Sequence, residues 1–312
     1  MVANSPSNNP PRPYSAAHFA LELDQRKGNI GFFQSIEGGG VTAEVMSTQF
    51  GDNYDIWRQL GKPKYEDFKI KTGMSMSFEY YAWISDFFKG VPHRKSGAIL
   101  ACDFHWKERA RREFTDAIIT ELAFPKLEGN DKGAAYMVCT IAPEKMEFKK
   151  GSGETLKSNE NLRNQQLWTA SNFDFTIDGF DPQLVDVTKV DGFSIKTKPI
   201  EYHYGESRHP WKIPGRIEWP NINFYVPEVH AGPLIDDYMK QAAKGEPLSP
   251  GRGALLTVKD NSQCELFNVK MVGCRIKSVQ PDASNSTSEE IKLVKFEMAV
   301  EAMEFHWLTE PE

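Results

Sequence analysis

A chain of 312 residues is long enough for two domains of ordinary size. Its 40% hydrophobic and 12% aromatic content excludes a disordered polymer, and a formal charge of -6 excludes general electrostatic attraction to nucleic acid or anionic membrane. No apolar run approaches the roughly 18 residues that would span a bilayer as a helix.

Residues 1–14, with Ser, Asn and four prolines, lack the apolar stretch of a signal peptide and read as a flexible arm. Phe19 to Asp24 alternates with period two, as a half-buried strand does, and a turn leads to a second strand ending at Gly38. A long polar and aromatic excursion follows through Gly51 and Trp57, then a strand predicted over Tyr65 to Lys71. Tyr81, Ile84, Phe87 and Phe88 recur at helical spacing, predicting a helix over Phe78 to Lys89 that Gly90 stops. Strands resume at Ala98 to Phe104, after Phe114, and at Tyr136 to Phe148.

This order then returns. Phe19, Gly38, Gly51, Trp57 and Gly61 recur without a gap as Phe173, Gly192, Gly205, Trp211 and Gly215, 154 positions on. Asp52 recurs in kind as Glu206, and both series close on Met-Glu-Phe, at Met146 and at Met303. Glycines and tryptophans mark special backbone angles or large packed volumes, so their joint recurrence predicts a duplicated domain. The second series has its strands at Phe173 to Asp178, Trp219 to Tyr225, Ala254 to Lys259, after Phe267, and Lys292 to Phe305. Its helix opens on Gly232-Pro233, carries Leu234, Ile235, Tyr238, Met239, Ala242 and Ala243, and ends before Gly245.

The expected fold is α+β, mainly β: two β-barrel or sandwich domains, each with one flanking helix. The expected boundaries are 15–150 and 170–312, with 151–169, rich in Gly, Ser, Asn, Gln and Lys, as an unpacked linker.

Chemistry-bearing motifs are sparse. Cys102, Cys139, Cys264 and Cys274 show no metal or redox spacing and read as small hydrophobes. Gly38-Gly39-Gly40 leads into a strand instead of a helix N-terminus, which fits a turn or bulge and not a phosphate cradle. His203 and His209 flank Gly205, but Gln49 and Asp55 stand at the matching positions, so a surface role is preferred to a metal site. The basic cluster Lys107, Arg109, Arg111 and Arg112 reads as a loop between strands, with a charge-matched subunit contact as the sharper alternative. Neither a catalytic constellation nor a cofactor or metal site is expected; an enzyme would need His203, His209 or distant groups to converge.

Each half resembles the tail tube proteins of contractile-tail bacteriophages and contractile injection systems. The resemblance rests on the glycine-marked strand (Ile36-Glu37-Gly38, Val190-Asp191-Gly192-Phe193) and the glycine-acid step (Gly51-Asp52, Gly205-Glu206). It rests also on the turn at Leu60-Gly61-Lys62 and Pro214-Gly215-Arg216, and on the alternating strand Phe173 to Asp178. It implies a structural, non-enzymatic part of a phage tail or tail-like particle, whose domains join side by side into rings that stack as a tube. Its implied partners are other copies of the chain and adjacent tube, sheath or baseplate and spike proteins, without membrane or sequence-specific nucleic-acid binding. The chain would be made in the cytoplasm and built into the particle. Two domains per chain allow three chains in a pseudo-sixfold ring, which is favoured, or six chains with stacked halves. Trp57, Trp211, Asp52, Glu206, Arg111 and Arg112 are the expected subunit contacts. The rival reading is a soluble two-domain module binding a ligand or protein.

Overall fold

The computed structural model describes residues 18–24, 31–49, 51, 56–156, 168–181, 185–205, 207–243, 245, 251–281 and 291–307. The expected arm, 1–14, lies outside them, as do Asp52, Glu206 and 157–167.

The first half contains β1 (Phe19–Leu23), β2 (Gly31–Gly38), β3 (Val41–Gln49), β4 (Ile56–Tyr65), β5 (Phe68–Met76) and α1 (Phe78–Phe88). It continues with β6 (Lys95–Cys102), β7 (Glu108–Phe124), β8 (Leu127–Glu128), β9 (Met137–Ala142) and β10 (Lys145–Lys150). The second half has β11 (Trp168–Ile177), β12 (Lys189–Val190), β13 (Phe193–Thr197), β14 (Ile200–Tyr202), β15 (Trp211–Ile213) and β16 (Ile217–Glu218). Then come β17 (Ile222–Pro227), α2 (Gly232–Ala242), β18 (Arg252–Asp260), β19 (Glu265–Pro281), β20 (Leu293–Ala299) and β21 (Ala302–Trp307). Among the described residues the protein is mainly β with one α-helix in each half, in keeping with its alternating segments.

The two halves pair their strands in corresponding order. The first runs β1-β6-β7-β9-β5-β2 with β10 also on β7; the second runs β11-β18-β19-β20-β17-β12 with β21 also on β19. Register agrees as well. Tyr202 faces Trp211 in the second hairpin, as Thr48 faces Trp57 in the first. A bulge interrupts β7 between Ile119 and Glu121, and β19 carries one between Ile276 and Ser278.

One cluster of buried side chains runs through both halves and includes Phe68, Phe114, Phe124, Trp168, Phe267 and Phe305. Helix α1 sits deep in it: seven of its side chains, among them Tyr80, Trp83 and Phe88, are buried. It stops where Gly90 takes φ +70, a left-handed angle that glycine adopts without a Cβ penalty. Helix α2 has the same length but buries only Leu234.

Three expectations change in detail. The strand expected from Tyr65 begins at Phe68, because Tyr65 closes β4 and Glu66-Asp67 forms the connection. The basic cluster is no loop: Arg109, Arg111 and Arg112 lie within β7, where pairing with β6 and β10 fixes them. The segment expected as an unpacked linker is anchored at both ends. Its start lies against β7 through the bonds Glu108 N–Glu154 O and Gly151 N–Arg109 O, and Trp168 at its far end is buried.

Candidate functional site

The distinctive site is the seam between the halves. Strand β13 of the second half lies antiparallel on the C-terminal part of β7, pairing Phe193 with Phe124, Ile195 with Leu122 and Lys196 with Glu121. On its other edge that part of β7 pairs β9. The sheet of the first half thus passes into the hairpin base of the second without a break. Strand β8 extends the joint by pairing β12.

Side chains lock the seam. Ile195 and Leu122 are fully buried against each other's sheets, and Phe124 stacks on Phe193 at 4.8 Å between ring centroids. Phe88 of α1 reaches across to Phe305 (5.6 Å) and Trp219 (6.1 Å), and Tyr81 stacks on Trp307. Gly192 is small for a reason: an added Cβ would stand 3.0 Å from the Phe124 carbonyl oxygen across the joint.

The polar part of the seam centres on Lys212, only 4% exposed. Its backbone N–H donates to Glu144 Oε1 (2.8 Å), its Nζ reaches Asp67 (3.2 Å), and Arg94 donates to its carbonyl (2.9 Å). Arg94 also pairs with Glu144 at 3.4 Å, so the buried carboxylate has a cation and a backbone donor together.

Two of the one-sided strand edges match the strands that form the seam. Among the described residues, the hairpin base Val41 to Ala43 pairs only β4, and Ser278 to Gln280 pairs only β20. A cleft of about 930 Å³ in the first half is lined by Ile36, Ile99, Arg112 and Phe148, among others.

The sequence-predicted contact residues fall in different places. Trp57 and Trp211 stand 71% and 49% exposed on the β3–β4 and β14–β15 hairpins, Trp211 in a ring cluster with Tyr202 and Tyr204. Arg111 is held inside the chain by Glu108 (2.8 Å) and Glu22 (2.9 Å), and Arg112 donates to the Gly38 carbonyl (2.9 Å). His209 Nδ1 lies 2.8 Å from the Tyr65 hydroxyl, and its pKa is lowered by burial and by Lys145 and Arg208. Among the described residues, no three His, Cys, Asp or Glu side chains converge as metal ligands.

Sequence reasoning missed Lys212, Glu144, Arg94 and Phe88 as seam residues. The available signal was aromatic weight: α1 carries Phe78, Tyr80, Tyr81, Trp83, Phe87 and Phe88, more than one sheet face can cover.

The two β halves are thus joined edge to edge around a seam of packing and ion pairs. Residues 15–147 match the model of the T4-like virus tail tube protein gp19 family.

The chain is also similar to three solved chains, each matched over nearly its whole length by about half of this one. The cap of the anti-feeding prophage (AFP tube terminating cap) is 13% identical, covering 48% of this chain and 100% of that one, at a TM-score of 0.38. A sheath/tube terminator of the PVC extracellular contractile injection system is 15% identical, covering 45% and 98%, at 0.38. The sheath-tube complex of that system gives 13% identity, 49% and 99% coverage, and 0.36. No curated protein matches the chain in sequence.

Proposed function

We propose that three copies of this chain close head to tail into a pseudo-sixfold ring, forming a segment or end-piece of a tail tube. The observation that supports this reading is the pairing of β13 with β7, which sets the halves side by side in one sheet layer. Halves that stacked as successive layers would leave this sheet edge open. Joining unlike edges is a heterologous contact, which closes into a ring when its rotation divides a full turn. Closure would also cover the free strand edges, which otherwise invite uncontrolled pairing.

In this reading the chain is a duplicated tail-tube domain with a structural and non-catalytic role. It is made in the cytoplasm and assembled into the particle beside tube, sheath or baseplate and spike proteins. Trp57 and Trp211, exposed on hairpins, supply aromatic anchors for those neighbours. Native mass spectrometry of the purified chain at physiological salt tests the stoichiometry. The expected species is a trimer. A six-chain assembly, or a chain monomeric at every accessible concentration, contradicts the proposal.

A further inference from the structure

We infer that the joint between chains repeats the internal seam, with Val41 and Thr42 of one copy laid antiparallel on Val279 and Ser278 of the next. This rests on the three-chain reading and adds its register and polar chemistry.

The inference follows from matched positions. In the second half, Lys196 faces Glu218 and Thr197 faces Ile217; in the first, Thr42 faces Lys64 and Ala43 faces Pro63. Ile195 therefore corresponds to Val41. On the other edge, Leu122 faces Cys139 and Val279 faces Phe296, each two positions past its bulge, so Leu122 corresponds to Val279. The internal pair Ile195–Leu122 becomes Val41–Val279 between chains, and Lys196–Glu121 becomes Thr42–Ser278.

Burial shows which positions lack a cover. Ile195 is 0% exposed and Val41 is 41% exposed; Phe305 is 2% exposed and its match Phe148 is 62% exposed. The internal members touch the other half, whereas Val41 lies on the open edge of β3 and Phe148 lines the cleft. The other free end carries α2, with only Leu234 buried and Met239 half exposed. Apolar surface on both free ends, at positions that the seam buries, fits a second copy of this chain.

The charges match too. At the internal seam, Arg94 and the Lys212 backbone both bond Glu144. Lys212 corresponds to Arg58, through the shared hairpin register, and Glu144 to Glu301, two positions before Met146 and Met303. Glu301 already holds one cation, Arg275, and is largely exposed. Arg58 of the neighbouring copy then offers its backbone N–H to Glu301 and its guanidinium to Asn221 and Glu297, which stand where Asp67 serves Lys212.

Disulfide trapping tests the register. A Val41→Cys chain is mixed with a Val279→Cys chain, each also carrying Cys264→Ser to remove the exposed native thiol. Oxidation is expected to give a covalent dimer on a non-reducing gel, and a chain carrying both cysteines a covalent trimer. Ala43→Cys with Val279→Cys, displaced by two positions and so by about 7 Å, should not link. Arg58→Glu, which sets a carboxylate against Glu297, should weaken assembly at least about tenfold, and Glu297→Arg should restore it. Three-chain rings that fail to trap at Val41–Val279, trap better at Ala43, or ignore Arg58→Glu overturn the register while leaving the ring intact. Absence of three-chain species from the unmodified chain removes the ring itself.

Discussion

Buried charge marks the residues on which the fold turns. Glu108 lies beneath the start of the connecting segment, with Arg111 at 2.8 Å and the Ser152 hydroxyl at 2.8 Å. Burial alone would raise its carboxyl pKa, but hydrogen bonds from Arg111 and Ser152 outweigh that and leave it lowered. A depressed folded pKa means stability that is full above the unfolded carboxylate value, about 4.3, and lost as pH falls through the folded value. Removing the guanidinium leaves Glu108 and Glu22 in place without their cation, a loss of about 3 kcal/mol. Arg111→Ala is therefore expected to lower Tm most near neutrality and to narrow its deficit as pH drops toward 4. A deficit independent of pH, measured by thermal melts across that range, would mean that packing and not charge carries the effect. Gly38 shows a backbone constraint of another kind: its φ is +85, and an added Cβ would stand 2.4 Å from the Asp67 carbonyl oxygen. The recurrence of such glycines made the repeat legible, because replacement is costly wherever the backbone needs it. Lys212 and Glu144 carried no such mark, since a lysine and a glutamate look alike on a surface and in a joint.

Among the elements, the helices show what one chain can reveal about its neighbours. Periodicity located both helices within a residue or two, but it could not say that α1 would be buried while α2 lay open. That difference arises from position: α1 lies in the seam, and α2 lies at a free end. The β7 strand was the hardest element to read, because its charged first half resembles a loop until pairing with β6 and β10 is known. The polar surroundings of Trp57 and Trp211 left exposure and burial equally open, and register across the seam depends on contacts far apart in sequence. The matched aromatics give a direct contrast. Phe88→Ala opens a cavity against Phe305 and Trp219 and should cost about 3–5 kcal/mol in urea unfolding. Phe148→Ala, at an exposed position, should change the isolated chain by no more than about 0.5 kcal/mol. Equal losses in the two variants would contradict the assignment of Phe88 to the seam.

For the whole molecule, the continuous core matters more than the boundary between halves. Buried side chains from β7, β11, β19, β21 and α1 form one cluster, and no gap separates the halves. A chain built this way should unfold cooperatively, with one calorimetric transition whose van't Hoff and calorimetric enthalpies agree. Two resolved transitions would mean that the halves are independent and the seam weak. In the proposed three-chain ring, a preformed internal seam halves the number of joints that must form between chains. Cryo-electron microscopy of the assembled protein tests the central claim most directly. The account predicts a closed annulus of six lobes with true threefold symmetry, the halves alternating and each chain spanning two adjacent lobes. An annulus of six chains with the halves in separate layers would contradict it.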